Sequence, residues 1–254
     1  MPYDLKGKNV LVTGGSRGLG AVLCHTFAAQ GCNIAINYFN RVEAADEVAS
    51  AVTSKYGVKA VVVKGDASLT AECKRTVEET IKALGGLDIV IANAGWTKFS
   101  NFTDLDALSE EEWDKCWAAN VKAPLALLKA ALPTFNANTE GGAMIITSSI
   151  AATSQAGSSM AYSVTKTAQV HLMKCLAKTQ GPKVRVNAVL PGFLMTEWGL
   201  QYSPEAQQAA KDAAALKHET DLQDCADAYV MLAKNTSITG ARIQVDAGLN
   251  IQGA

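Results

Sequence analysis

The chain alternates strand-like and helix-like segments from end to end. Seven short apolar runs, each typical of a strand buried on both faces, are separated by longer helical stretches. The predicted strands are 9–13, 33–37, 60–63, 88–92, 143–147, 185–190 and 242–245, and the main predicted helices are 18–30, 42–55, 71–84, 110–135, 160–180 and 221–233. This alternation predicts parallel β-α-β units with right-handed crossovers, and therefore an α/β fold with a seven-stranded parallel sheet. No linker divides the chain, so we predict one domain over residues 1–254.

Composition argues against several other classes of protein. The net charge of −1 gives no reason to expect nucleic-acid binding, and no apolar run approaches the roughly 20 residues of a membrane span. Six scattered cysteines without a Cys-x-x-Cys pair indicate reduced core residues, so we expect a cytoplasmic protein. His25, His171 and His218 show no metal-ligand spacing, and no metal site is predicted.

A glycine-rich turn, Thr-Gly-Gly-Ser-Arg-Gly-Leu-Gly, follows the first predicted strand at residues 13–20. Gly14, Gly18 and Gly20 allow a sharp turn and a close approach of the backbone to a diphosphate, and the next helix offers its N-terminal amides. An ordinary glycine turn is the alternative. The position between an apolar strand and a long helix favours a dinucleotide site.

Tyr162 and Lys166 lie four residues apart, and Ser149 lies thirteen residues before the tyrosine. Residues at i and i+4 share one helix face, so the phenol and the ammonium can converge. A nearby positive charge lowers the pKa of a phenol from about 10 and makes it a usable proton donor and acceptor. Ser149 can polarise a substrate oxygen. For an isolated Tyr-x-x-x-Lys pair, a solvated helix surface is the alternative.

Together these motifs resemble the short-chain dehydrogenase/reductase family over nearly the whole chain. The resemblance implies a doubly wound, Rossmann-like sheet and assigns catalysis to Asn120, Ser149, Tyr162 and Lys166. The predicted cofactor-binding residues are Gly14, Ser16, Arg17, Gly18, Leu19, Gly20, Asn37, Arg41, Asp66, Ala67, Asn93, Ala94, Gly95, Tyr162, Lys166, Pro191, Gly192 and Thr196. One departure from the family pattern is Ala92, where many members have a second asparagine.

The resemblance also implies a role for each catalytic group. Tyr162 gives a proton to the substrate oxygen as hydride reaches carbon, and Ser149 stabilises that oxygen. Lys166 holds the ribose of the nicotinamide nucleotide and lowers the pKa of the phenol. Asn120 positions a water that returns the proton from solvent.

Aromatic residues mark a candidate substrate site. Trp96 and Phe99 follow the Asn93-Ala-Gly segment, and Trp198 and Tyr202 lie in residues 193–220, which cover the substrate in the family. They favour an apolar or aromatic ketone or alcohol. Simple packing of the loop explains any one of them equally well.

The cofactor prediction is NADP(H) in preference to NAD(H). The second predicted strand ends without the acid that usually binds the adenine-ribose hydroxyls, and Glu43 and Asp46 lie inside the next helix. Arg17 and Arg41 can supply planar donors to a 2′-phosphate. Solvated surface charge is the alternative for both.

The sequence therefore predicts an NADP(H)-dependent oxidoreductase acting on a small ketone or secondary alcohol, with reduction favoured. A non-catalytic NADP(H)-binding redox sensor is the alternative, and a nucleotide-cofactor methyltransferase leaves Tyr162 and Lys166 unexplained. Trp113 and Trp117, four residues apart on one predicted helix, indicate packing or an oligomer contact. By resemblance we expect a homodimer or homotetramer.

Overall fold

Seven parallel strands form one sheet in the computed structural model, which describes residues 3–251. The strands are β1 (Asn9–Val12), β2 (Asn33–Tyr38), β3 (Ala60–Lys64), β4 (Ile89–Ala92), β5 (Gly142–Thr147), β6 (Val184–Pro191) and β7 (Arg242–Val245). The helices are α1 (Gly18–Ala29), α2 (Val42–Tyr56), α3 (Thr70–Leu84), α4 (Glu110–Trp117), α5 (Ala123–Ala137), α6 (Met160–Gln180), α7 (Pro204–Ala213) and α8 (Leu222–Lys234). All seven predicted strands are present, which confirms the α/β prediction.

Helices cover both faces of the sheet, which explains why the strands are continuously apolar. Along β1, Val10 and Val12 face a core shared with α1, α2 and α8, whereas Leu11 faces a second core shared with α3, α5 and α6. Phe27 and Tyr229 fill the first core, and Phe135 fills the second. Period-two alternation thus places apolar side chains on both sides of each inner strand.

The strand order is β3-β2-β1-β4-β5-β6-β7, so the sheet is doubly wound. β1 pairs with β2 on one side and with β4 on the other, as the pairings of Val10 with Ile34 and Ile89 show. The direction of winding reverses between β1 and β4. In sheets of this kind ligands bind in the crevice outside the carboxyl ends of the strands at that reversal.

The prediction of one continuous α-helix over residues 110–135 is wrong in the middle of that range. Residues Ala118–Lys122 form a π-helical turn between α4 and α5, and the Ala123 amide donates to Ala118 O, five residues back. Pro124 supplies the reason, because it lacks the amide hydrogen that would reach the carbonyl of Asn120 in a regular α-helix. Such turns are frequent at functional sites.

Residues 193–220, here called the covering segment, interrupt the strand–helix alternation. They contain a 3₁₀ turn at Gly199–Gln201 and helix α7, which is capped by Ser203 and has no buried residue. The two ends of the segment meet, since the Thr220 amide donates to Phe193 O at 2.9 Å. The covering segment is therefore a long loop between β6 and α8 whose two ends are hydrogen-bonded to each other.

Candidate active site

The loops after β1 and β4 are locked together at the reversal point. Thr13 Oγ1 accepts hydrogen bonds from the amides of Asn93 (2.9 Å) and Ala94 (3.0 Å). Asn93 Nδ2 donates to Thr13 O at 3.0 Å. The glycine-rich turn and the Asn93–Ala94–Gly95 segment therefore form one wall of the crevice.

Three glycines give the turn a shape that no other residue could keep. Gly14 and Gly18 have φ of +62° and +52°, in the left-handed region. A Cβ on Gly20 would overlap Gly14 O and come within 2.8 Å of Asn93 Nδ2. The start of α1 carries no acidic residue, so its amides are presented to the crevice without a competing carboxylate of their own helix. This cradle fits the diphosphate of a dinucleotide.

Asn37 lies beside the turn, and its side chain forms hydrogen bonds with backbone groups of the protein. It is buried, its Oδ1 accepts from the Gly14 amide at 3.2 Å, and its Nδ2 donates to Val63 O (3.2 Å) and Gly65 O (3.1 Å). Asn37 therefore holds the turn in place, and its predicted direct contact with the cofactor is not supported by this geometry.

The other predicted cofactor residues surround the same crevice. Asp66 follows β3 and is oriented by Ser68, whose amide and hydroxyl both donate to Asp66 Oδ1 at 2.8 Å. Thr196 packs against the turn, since a Cβ on Gly18 would lie 3.4 Å from its side chain. Gly192 follows Pro191 at the end of β6, where a Cβ would clash with Asp246 Cα at 2.6 Å. Four separate strand ends thus contribute to one site.

Tyr162 lies in the first turn of α6. Ser159 caps this helix, and its Oγ accepts from the Tyr162 amide at 3.1 Å. Ser149 follows β5, and its own Oγ accepts from the Ala151 amide at 3.1 Å. Burial raises the pKa of Tyr162 well above its usual value, and the nearby polar side chain of Ser149 opposes that rise. The phenol therefore keeps its proton at neutral pH.

Lys166 lies one turn further along α6 and is almost completely buried. Its Nζ is 5.3 Å from the centroid of the Tyr162 ring and donates to Thr147 O at 2.8 Å. Burial lowers the pKa of Lys166 to about 7, against the smaller, opposing influence of the Cys116 thiol. The structure thus brings the three predicted residues of the Ser149–Tyr162–Lys166 group together.

Gln169 is a site residue that the sequence interpretation missed. Its Oε1 accepts from Lys166 Nζ at 3.3 Å, and its Nε2 donates to the backbone carbonyl of Asn120 at 2.7 Å. That carbonyl is available because Pro124 cannot donate to it. The carboxamide of Gln169 therefore links the backbone of Asn120 to the ammonium group of Lys166. Pro124, four residues after Asn120, was the signal that could have revealed this acceptor.

Asn120 itself is fixed by the protein on every side. Its Oδ1 accepts from the Trp96 amide at 3.0 Å, and its Nδ2 donates to Trp96 O (3.0 Å) and Thr165 Oγ1 (3.0 Å). The side chain joins the loop after β4 to α6. Its role in catalysis stays a prediction.

We expect Gln169→Glu to change the pH dependence of the reaction. A carboxylate beside Nζ would raise the pKa of Lys166 above about 7, because it stabilises the ammonium form. The alkaline limb of kcat/KM against pH should move upward by about one unit. Gln180→Glu, at the distant end of the same helix, serves as the control. Superimposable profiles for wild type and Gln169→Glu would contradict the assigned contact.

Three of the four predicted aromatic residues form a cluster beside Tyr162. The rings of Trp198 and Tyr162 are 5.6 Å apart, those of Phe99 and Trp198 are 6.4 Å apart, and those of Phe99 and Tyr202 are 4.9 Å apart. Phe193, which was not predicted, joins through Tyr202 at 6.1 Å. The structure thus places an apolar wall beside the phenol.

Trp96 stands apart from this aromatic cluster. Lys115 Nζ lies 5.1 Å from the centroid of its ring, and its backbone is held by Asn120. The ring therefore interacts with α4 instead of joining Phe99 and Trp198. Its predicted substrate role is not supported by this placement.

Arg17 and Arg41 lie at the open end of the crevice, with about half of each side chain exposed. Both bind the same carboxylate. Glu197 Oε2 accepts from Arg17 Nη1, and Glu197 Oε1 accepts from Arg41 Nη1 at 3.1 Å. The two guanidinium groups thus converge on one anion and have the donor chemistry that a 2′-phosphate requires.

Residues 3–251 contain neither a metal-ligand cluster nor a membrane-spanning helix. No group of three or more His, Cys, Asp or Glu side chains there is placed to hold a metal ion. Over the same residues, no helix combines the length and the apolar character needed to cross a membrane.

Comparison with known proteins decides the family. A family model described as Enoyl-(Acyl carrier protein) reductase matches residues 14–250. The chain is also similar to a short-chain dehydrogenase/reductase from Pestalotiopsis microspora, with 33% identity over 264 aligned residues, 98% of this chain and 97% of the relative. The chain belongs to the short-chain dehydrogenase/reductase family. The prediction of family membership is confirmed.

Two further proteins similar to this chain carry cofactor information in their names. L-rhamnose 1-dehydrogenase (NADP(+)) from Thermoplasma acidophilum is 32% identical over 253 residues, covering 98% of both chains. A short-chain dehydrogenase from Burkholderia cenocepacia, solved in complex with NADP, superimposes with a TM-score of 0.90 at 30% identity and covers 98% of this chain and 100% of that chain. This likeness also supports the single Rossmann-like domain.

Proposed function

We propose that this protein is an NADP(H)-dependent oxidoreductase that transfers a hydride between the nicotinamide and a ketone or secondary alcohol. The observation that carries the proposal is the convergence of Ser149, Tyr162 and Lys166 beside the glycine cradle. Phenol, ammonium and hydroxyl meet there in a buried crevice at the carboxyl ends of the strands. Redox sensing alone gives no reason for this acid–base group.

The side chains have separable roles in the proposed reaction. The bound nicotinamide cofactor supplies or accepts the hydride. Ser149 donates a hydrogen bond to the substrate oxygen, and Tyr162 gives that oxygen its proton. Lys166, oriented by Thr147 O and Gln169 Oε1, supplies the positive charge beside the phenol and donates to the ribose hydroxyls. Because burial raises the pKa of Tyr162, neutral pH favours reduction over oxidation.

Three observations support NADP(H) as the cofactor. β2 ends at Tyr38 without a carboxylate that would repel a 2′-phosphate. Arg17 and Arg41 converge at the open end of the crevice. The structural relative from Burkholderia cenocepacia holds NADP. The glycine turn, Asp66 and Asn93–Ala94–Gly95 would bind the remainder of the nucleotide.

The cofactor proposal predicts a clear effect of Arg17→Ala. Wild type should use NADPH with a higher kcat/KM than NADH, and Arg17→Ala should reduce that preference by about tenfold, because a charge-assisted hydrogen bond to the 2′-phosphate is lost. Arg242→Ala, an exposed change on β7, is the control. A panel of ketones is screened with both reduced cofactors, and the rate of NADPH or NADH oxidation is measured by absorbance. Equal use of NADPH and NADH by wild type would reject NADP(H) preference.

The aromatic cluster supports an apolar or aromatic substrate, with the covering segment closing one side of the site. Trp198→Ala should raise KM for an aromatic ketone by about tenfold while the Kd for NADPH stays within twofold, since the ring contacts Tyr162 and not the glycine cradle. Leu216→Ala, at an exposed apolar residue of the same covering segment, is the matched control. Loss of cofactor affinity with unchanged KM would contradict a substrate role for Trp198.

We further propose that the enzyme is a homo-oligomer. Trp117 on α4, Leu125 on α5 and Val164 on α6 expose 39%, 38% and 46% of their surfaces. These neighbouring helices offer an apolar face suited to a second copy of the chain.

A further inference from the structure

Glu197 occupies the two arginines that the proposed function assigns to the 2′-phosphate. Its two carboxylate oxygens accept separate hydrogen bonds from Arg17 Nη1 and Arg41 Nη1. The three residues come from different parts of the chain. Arg17 precedes α1, Arg41 precedes α2, and Glu197 lies near the start of the covering segment. The fold therefore assembles a three-charge cluster that is not a product of local sequence.

The positions of the neighbouring residues place this cluster at the cofactor crevice. Thr196, directly before Glu197, packs against Gly18, directly after Arg17. The Glu197 carboxylate thus connects the covering segment to the glycine-rich turn through Arg17. The two arginines also lower the pKa of Glu197, so it is an anion at neutral pH.

A carboxylate and a phosphate compete for the same planar guanidinium donors. We propose that Glu197 is a specificity-determining residue: it holds Arg17 and Arg41 until a 2′-phosphate displaces it. This inference rests on the proposed NADP(H) site. Glu197 then weakens the binding of a nucleotide that carries a 2′-phosphate and does not affect the binding of a nucleotide without one. It therefore reduces the NADP(H) preference that the arginines create.

The expected size of the effect follows from exposure. The side chains of Glu197, Arg17 and Arg41 are 52%, 56% and 59% exposed, so solvent screens both ion pairs. Two such pairs correspond to about a three- to tenfold change in affinity. The effect should shrink as ionic strength rises.

The test is calorimetric titration with two small probes, adenosine 2′,5′-bisphosphate and adenosine 5′-monophosphate. For Glu197→Gln, the Kd of the 2′-phosphorylated probe should fall about three- to tenfold, and the Kd of the other probe should not change. The matched control is Glu219→Gln, which removes the same charge from the covering segment but from a carboxylate paired with Lys211.

The outcomes separate this inference from the proposed function. If wild type binds both probes equally well, the NADP(H) assignment itself fails. If wild type prefers the 2′-phosphorylated probe but Glu197→Gln binds it no more tightly, the role of Glu197 is wrong. Weaker binding by Glu197→Gln would also overturn it, because Glu197 would then be holding the arginines in position for the phosphate.

Discussion

Gly20→Ala should abolish tight cofactor binding. The new Cβ would overlap Gly14 O and press on Asn93 Nδ2, so the turn must open or α1 must move. Overpacking of this kind costs about 1–3 kcal/mol. If the substitution destabilises the turn conformation that binds NADPH by this amount, the Kd for NADPH rises by roughly 10- to 100-fold. Calorimetry or quenching of protein fluorescence on NADPH addition gives the measurement.

Gly86→Ala is the matched control for this change. A Cβ at Gly86 meets only Asn9 Nδ2, at an ordinary 3.4 Å, and lies at the opposite end of β4. Its Kd for NADPH should equal that of wild type. Unimpaired binding by Gly20→Ala would mean that the glycine turn is not the cradle of the cofactor.

The fold was predictable because the strands are buried on both faces. Runs such as the one in β1 alternate between two apolar cores, which leaves a continuous apolar signature in the sequence. The motif residues were predictable for a related reason. The proposed roles of Gly14, Gly18, Tyr162 and Lys166 depend on backbone shape or on fixed spacing, and both are visible in the order of residues.

Contacts between distant segments were not predictable in this way. The carboxamide of Gln169 binds the carbonyl of Asn120 because Pro124 has no amide hydrogen for that carbonyl, at the point where the helix forms a π-helical turn. Helical periodicity in the sequence does not predict this contact. Asn37 was predicted to touch the cofactor. Its side-chain hydrogen bonds hold the glycine-rich turn, a contact between distant segments that the order of residues does not reveal. Glu197 meets Arg41 across 156 residues.

Tyr162→Phe should remove most of the turnover while leaving the protein folded and able to bind NADPH. The change deletes one hydroxyl and keeps the ring that packs on Trp198. Without the phenol hydroxyl, no side chain at that position can give the substrate oxygen its proton. Loss of general-acid catalysis corresponds to a decrease in kcat of roughly 10²-fold or more. Tyr56→Phe, beside His25 on another face, is the control.

The most direct measurement is the rate of NADPH oxidation with the best ketone from the screen, for wild type, Tyr162→Phe and Tyr56→Phe, with the Kd for NADPH measured on the same samples. A hydride-transferring enzyme with Tyr162 as its acid predicts equal Kd values, full activity in wild type and Tyr56→Phe, and turnover reduced by roughly 10²-fold or more in Tyr162→Phe. Retention of most of the wild-type turnover by Tyr162→Phe would contradict it.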